Sequence, residues 1–409
     1  MEIVGTIVIG IVMACAVAGA VASLFNEEEG LGREFREGIH AIGHIFIPVA
    51  GIMASIPYLS QIITAVVGPA FASLGSDPAM AATAVIAVDM GGYQLADVLS
   101  VTREGWLMAM ITGYMAGATI VFSIPVGLSL LEKRDHKYMA LGVLSGILSI
   151  PIGVLITTVL VVFLDVAIRP TVSTDAASTY TLTLSAWAIL INLVPLFLFV
   201  ICIALGLHFF SDMMIRGFMI FGRLLDAAIK LVLVFSIVEY FTGLFSIVFG
   251  SWGFDPIIAD SEDQFRALEI AGYIGVMLSG AFPMVYLIRK HLARPMELMG
   301  RRIGLEPVGA AGLLAAAANI LAMFRLIREM PAKDKVVNIA FSVCAAFMLG
   351  DHLAFTANFQ PNLILPIILG KLGGGIFAIV LAFWLSVPKA IELEKGDAPP
   401  QESPGDSED

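Results

Sequence analysis

A carboxylate at the end of an apolar run is the first feature of this sequence that can do chemistry. Asp89 closes the stretch "AVIAVD" (84–89), and Gly91, Gly92, Tyr93 and Gln94 follow it. An aspartate at the centre of a membrane helix costs about 2.5–3.5 kcal/mol on insertion scales, so it is seldom idle. The paired glycines weaken the helix and leave backbone groups available. A carboxylate, free backbone groups and an aromatic ring describe a pocket for a small cation carrying hydroxyl or amine donors. The competing reading is a structural aspartate that caps a broken helix or pairs with a neighbour.

A second group lies in "LGDHLAFTANFQPN" (349–362), where Asp351 adjoins His352 and Thr356 follows. Histidine titrates near neutral pH and can relay protons. Neighbours at i and i+1 do not face each other on a helix, so the two side chains need not share a partner. The plain alternative is a capping aspartate with a packed histidine beside it. Lys371, in "GKLGGGIFAIV" (370–380), needs a counter-charge if buried. Either it pairs with Asp351 or it snorkels to the interface. In "GATIVFSIPVG" (117–127), Thr119 and Ser123 offer hydroxyls, and Pro125 frees a carbonyl about one turn back. Phe122 there offers a ring face to an ammonium group, or simply packs. Asn319 is the matching polar residue in "AAANILAMF" (316–324). His40 and His44 are four apart, but no third ligand follows at metal-site spacing, so no metal is expected. No P-loop, nucleophile elbow, haem or dinucleotide motif is present, which argues against an enzyme, a bound cofactor and ATP-driven work.

These residues sit in a chain of 409 residues that is 58% hydrophobic and 14% charged. Its mean hydropathy is +0.92. A soluble domain carries about 25% charged residues. Repeated apolar stretches are long enough to cross a hydrocarbon core about 30 Å thick, without the alternation of a barrel. The expected fold is an all-α polytopic membrane protein with about nine to eleven hydrophobic segments, two of them broken or re-entrant. The segments run 2–25, 40–67, 79–98, 104–130, 139–165, 184–209, 213–247, 264–290, 308–328, 335–358 and 361–386. The first lacks a basic leader and reads as a retained helix.

The connections 131–138 and 288–304 are basic and should face the cytoplasm, whereas 166–183 and 250–265 are nearly free of Lys and Arg and should face out. The connection 325–335 is basic again, so 308–328 should enter and leave on the cytoplasmic side. Segment 79–98 should likewise start and end outside. Aligning Asp89 with Asn319 also lays 118–123 over 348–353, and every aligned pair then runs in opposite directions. This suggests an inverted repeat of 1–165 and 213–388, with the site at the midplane between halves. Chance alignment of two Ala/Gly-rich stretches is the alternative. Residues 1–388 read as one transporter domain, and 389–409 as an acidic, Pro-rich, disordered cytoplasmic tail. The net charge of −11 gives no surface for nucleic acid. Cys15, Cys202 and Cys344 all fall in apolar spans and read as small buried hydrophobes. Homo-oligomers are left open.

The stretches "AVDMGGYQLA" (87–96), "GATIVFSIPVGL" (117–128), "YMALGVLSGILSIPIG" (138–153), "AFMLGDHLAF" (346–355) and "ILGKLGGG" (368–375) resemble the EutH family of bacterial ethanolamine permeases. The resemblance runs from the first helix to about residue 388. It implies passage of ethanolamine across the bacterial inner membrane, with ethanolamine and the lipid bilayer as partners. The 166–183 connection and the tail depart from that pattern and are expected not to touch transport. The resemblance assigns no binding residue. Chemistry assigns Asp89 to the ammonium group, Asn319 opposite it, and Asp351 with His352 to completing the site or coupling a proton. Gly91, Gly92, Tyr93, Gln94, Thr119, Phe122, Ser123 and Thr356 are candidates for the remaining wall. The runner-up is a proton- or sodium-coupled transporter of another small amine or amino acid.

Overall fold

The computed structural model describes residues 2–397, and the protein is an all-α polytopic membrane protein. Helices α1 (Glu2–Ser23) and α2 (Gly30–Ala54) form a first hairpin. Ser55 turns its hydroxyl onto the Gly51 carbonyl, and Pro57 opens α3 (Ile56–Val66), which α4 (Gly68–Ser73) follows. Next come α5 (Ala79–Thr83), a 3-10 turn Val88–Met90, and α6 (Gly92–Leu99). Helix α7 (Arg103–Thr112) passes through two π turns, Gly113–Gly117 and Thr119–Ser123, into α8 (Ile124–Leu130). Helices α9 (His136–Ile147) and α10 (Ile150–Phe163) lead to an antiparallel pair of two-residue strands, β1 (Ala167–Ile168) and β2 (Tyr180–Thr181). Then follow α11 (Ala186–Phe209), α12 (Ser211–Thr242), α13 (Leu244–Phe249) and α14 (Ala267–Arg302). The chain ends in α15 (Pro307–Ala318), α16 (Ile320–Ile327), α17 (Ala332–Ala345), α18 (Asp351–Phe359), α19 (Ile364–Leu385) and α20 (Val387–Asp397).

Among the described residues, seven stretches are long and apolar enough to cross a membrane. The remaining hydrophobic segments are α12, which carries too many charges for that criterion, and three that are broken. Large apolar side chains such as Ile3, Phe163, Phe249 and Trp384 point outward, as a bilayer requires. Close helix contact depends on glycine. A Cβ at Gly38 would lie 2.5 Å from the Leu278 carbonyl, so α2 runs directly along α14.

The basic connections gather at one end. Lys335 pairs with Asp135 at 2.6 Å, and Arg289 lies 3.7 Å from Glu34. Lys333 reaches the Gly304 carbonyl, and the Ala332 N–H reaches Glu394. The opposite end holds the β1–β2 connection, where Asn362 donates to the Ala167 carbonyl and Tyr180 to Glu104. The excess of Lys and Arg assigns the first end to the cytoplasm.

Both short-helix pairs are hairpins that return to their starting point. The Val101 N–H donates to Asp77 Oδ2 (2.9 Å), which joins the two ends of the α5–α6 unit. The Glu306 N–H donates to Asp334 Oδ2 (2.8 Å), which joins the ends of α15–α16. Each hairpin tip meets a second break. The Phe347 and Leu349 N–H groups donate to the Ala316 and Ala317 carbonyls at 3.2 and 2.8 Å. In the other unit, a Cβ at Gly117 would lie 2.4 Å from Ala87, so the π stretch presses on the α5–α6 tip.

Several boundaries differ from those read in the sequence. Helix α2 starts ten residues earlier than 40, because Arg33, Glu34 and Glu37 lie where charges can stay solvated. Segment 335–358 is not a continuous span, whereas 104–130 is helical throughout but passes through two π turns. Pro125 supplies no N–H, so the helix before it relaxes into π turns. The 346–350 break turns on Phe347 at φ +60° and on Gly350. The basic stretch 288–304 is mostly the end of α14, which at about 1.5 Å per residue projects well past a bilayer. Residues 389–397 are helical in α20, against the expected disorder from 389 onward, and 398–409 lie outside the described residues.

Candidate functional site

The two hairpin tips and the two facing breaks enclose a cavity of about 580 Å³. Asp89 comes from the 3-10 turn that precedes α6. Gly91 allows that turn by taking φ +92°, a left-handed conformation that costs glycine little. Asp89 caps neither the turn nor α6, and its Oδ1 is buried without a hydrogen-bond partner. His352 Nε2 stands 3.5 Å from that oxygen, too far for a good hydrogen bond. Both ring nitrogens of His352 are buried and unpartnered.

Asn319 enters from the α15–α16 break. Its Oδ1 caps α16 by accepting the Leu321 N–H at 2.8 Å, which leaves its amide N–H₂ to donate. Asp351 lies in the first turn of α18, where the helix dipole favours an anion. Three rings, Phe122, Phe282 and Phe347, add faces to the wall. Phe122 and Phe347 meet edge to face with centroids 5.9 Å apart. Phe347 holds its left-handed backbone without being glycine, a strain that clusters at ligand sites. Toward the cytoplasmic end the lining becomes exposed and polar at Glu37, His40, His44 and Arg325. A cleft of about 730 Å³ beside α12 shares His44, Met90 and Phe122 with the cavity.

On the other side of the tips the chain is packed shut. Tyr93 contacts Trp106, Phe355 and Phe359 with centroids 5.0, 5.4 and 5.8 Å away. Its hydroxyl accepts from Gln360 Nε2 (2.9 Å). Gln360 Oε1 accepts the Arg169 N–H (2.9 Å). The Arg169 guanidinium donates to the Asn358 and Phe359 carbonyls at 2.6 and 3.1 Å, closing the end of α18. Burial pushes this guanidinium down from its ordinary value.

Five candidates from the sequence therefore line one cavity: Asp89, Phe122, Asn319, Asp351 and His352. Seven do not. Gly91 packs on Ile52 and Met53, and Gly92 on the Ala87 carbonyl. The turn at Gly91 sends Tyr93 into the aromatic plug. Gln94 is buried with neither amide atom bonded, away from the cavity. Thr119 donates to the Val343 carbonyl, Thr356 to the His352 carbonyl, and Ser123 is buried off the wall. Lys371 does not pair with Asp351: its Nζ donates to the Tyr114 carbonyl at 2.6 Å. The rim residues Glu37 and Arg325 were not singled out in the sequence, and His40 and His44 were weighed there only as metal ligands. Phe282 and Phe347 were not singled out either, since they carry no signal beyond being aromatic in a span.

The family model described as "Ethanolamine utilisation protein, EutH" matches residues 4–385. The chain belongs to the EutH family. A EutH relative in Listeria monocytogenes serotype 1/2a (strain 10403S), named "Probable ethanolamine permease EutH", is 38% identical over 384 residues, 94% of each chain. One of the same name in Escherichia coli (strain K12) is 39% identical over 367 residues, 88% of this chain and 86% of the relative. An "Uncharacterized protein YxeR" of Bacillus subtilis (strain 168) is 31% identical over 389 residues, 95% of this chain and 96% of the relative. No solved structure gives a significant match.

Proposed function

We propose that this EutH chain is an ethanolamine permease of the bacterial cytoplasmic membrane that binds the protonated amine in the cavity at the hairpin tips. One observation carries this reading: the Asp89 carboxylate is buried at the cavity with no hydrogen bond at Oδ1. A buried anion without a partner is costly unless a cation joins it. Ethanolamine near neutral pH is such a cation, with an amine like that of lysine. Its ammonium group sits against Asp89 and over the phenylalanine faces, and its hydroxyl takes the Asn319 amide or the Asp351 carboxylate. The names of the relatives agree with this cargo.

The two hairpins act as re-entrant elements of an inverted repeat that relates Asp89 to Asn319. Support comes from each hairpin returning to its own end and from the second break that faces each tip. The cavity is open toward the cytoplasm and closed outside by the Tyr93 plug, an inward-facing state of an alternating-access cycle. Asp89→Asn keeps the shape and removes the charge. Loss of one partner of a buried charge pair costs about 2–5 kcal/mol. Uptake of labelled ethanolamine in acidic medium, where little free base diffuses, is therefore expected to fall to background in that variant. Normal uptake with normal membrane insertion would take Asp89 out of the site. Competition by unlabelled amines tests the cargo: an amine that outcompetes ethanolamine would replace it as substrate.

A further inference from the structure

Lys371 is the one lysine among the described residues that is almost wholly enclosed by protein within a span, at 1% exposure. No carboxylate lies within 4.0 Å of its Nζ among the described residues. Its single bond is to the Tyr114 carbonyl, within the π turn Gly113–Gly117. The side chain cannot swing out. A Cβ at Gly370 would overlap Thr157 at 1.7 Å, and one at Gly374 would come within 3.1 Å of Cys344, so α19 is pressed onto α10 and α17.

Lys371 is also connected to the cavity. The Tyr114 ring stands edge to face with the His352 imidazole, centroids 5.3 Å apart, and the Tyr114 hydroxyl is hydrogen-bonded to Thr356 Oγ1 at 2.8 Å. His352 in turn stands 3.5 Å from Asp89. The titratable groups that surround the ammonium are Tyr114, Cys344 on α17, His352 on α18 and Asp89 on the 3-10 turn. Asp351, next to His352 in the chain, also lines the cavity.

In the empty protein the Lys371 ammonium offsets the Asp89 carboxylate across the Tyr114–His352 pair. A bound ammonium gives Asp89 a second cation beside Lys371, and the two like charges repel in a low-dielectric region. An amine can relieve this by losing a proton, as a guanidinium cannot. We propose that Lys371 is a proton site coupled to substrate: it gives up its proton when ethanolamine reaches Asp89 and recovers it when ethanolamine leaves. This rests on the Asp89 cation site proposed above. The step is R–NH₃⁺ to R–NH₂ plus H⁺, with the proton leaving past the free ring nitrogens of His352 to solvent at the open end of the cavity. No other bond changes. Each ethanolamine cation then moves against one proton, with no net charge transferred and no need for sodium.

The test is calorimetric titration of ethanolamine into the purified full-length protein, in two buffers of different ionisation enthalpy. Wild type is expected to release about one proton per ethanolamine bound near neutral pH. Its apparent affinity should rise with pH, because protons compete. Lys371→Met is expected to bind ethanolamine with no proton release and no such slope. Lys371→Arg keeps the positive charge and a donor for Tyr114, yet cannot deprotonate, so its affinity should fall by about tenfold or more. A residue that only braced the π turn would be rescued by arginine. Wild-type binding without proton release, undiminished release in Lys371→Met, or full rescue by arginine overturns the proposal and leaves the Asp89 site standing. Ethanolamine binding that survives Asp89→Asn overturns the site beneath it instead. If Lys371→Met does not purify, wild type and the arginine variant decide the matter.

Discussion

Asp89 is buried, unpartnered at Oδ1 and close to an imidazole with two free nitrogens, and none of this stabilises the fold. A structural carboxylate would have found N–H donors, as Asp77 and Asp334 have. Asp89→Asn is therefore expected to leave the thermal midpoint unchanged or raise it, since the carboxylate makes no hydrogen bond at Oδ1 that the substitution would break. A clear fall in midpoint, measured on purified protein, would show that the carboxylate has a structural partner. Asp89, Asn319, Asp351 and His352 were legible in the sequence because a polar group in a long apolar run has few bland explanations. Tyr93, Gln94 and Thr356 lie off this cavity for a geometric reason. Nearness to Asp89 or His352 in sequence does not fix which side of a turn a side chain takes, and the left-handed Gly91 reverses that side.

Each hairpin works through its tip and its latch. The facing breaks cross so closely that a Cβ at Gly350 would lie 2.3 Å from the Ala318 carbonyl, and that backbone atom has no room to retreat. Gly350→Ala is expected to destabilise the protein and to abolish uptake, since it pries apart Asn319 and Asp351. Wild-type stability in that variant would mean that the two breaks do not cross so closely. At the outer end, Arg169 ties the β1–β2 connection to the last carbonyls of α18, although that connection was expected to stand apart from transport. Hydrogen bonds from charged groups contribute about 1.5–3 kcal/mol each. Arg169→Ala should therefore lower the thermal midpoint and raise labelling from outside at a cysteine placed at Asn358. Unchanged labelling would show that the plug holds without the latch. Hairpins at 79–98 and 308–328 were expected from the sidedness of basic loops, and each segment is a helix pair whose ends meet. The 346–350 break was not expected, since "AFMLG" holds no proline and a left-handed phenylalanine leaves no mark in sequence.

Across the whole molecule, charge fixes orientation and packing fixes state. The connections 131–138, 288–304 and 325–335 lie at one end, held there by the Lys335–Asp135 pair and the Lys333–Gly304 contact. A cysteine in place of the exposed Glu329 should react with an impermeant thiol reagent only from the cytoplasmic side. Reaction from outside would turn α15–α16 into a full crossing and remove the inverted repeat. The rim residues Glu37 and Arg325 were not legible in the sequence because charges near helix ends look like ordinary interfacial residues. Only the cavity whose wall α2 and α16 both supply shows that they line the way in. The account as a whole depends on one carboxylate holding one ammonium group. Equilibrium binding of labelled ethanolamine to purified wild type and Asp89→Asn, both monodisperse, tests that most directly. Saturable binding to wild type, lost on this substitution at neutral pH, is the expected result. Equal binding to both proteins would contradict it.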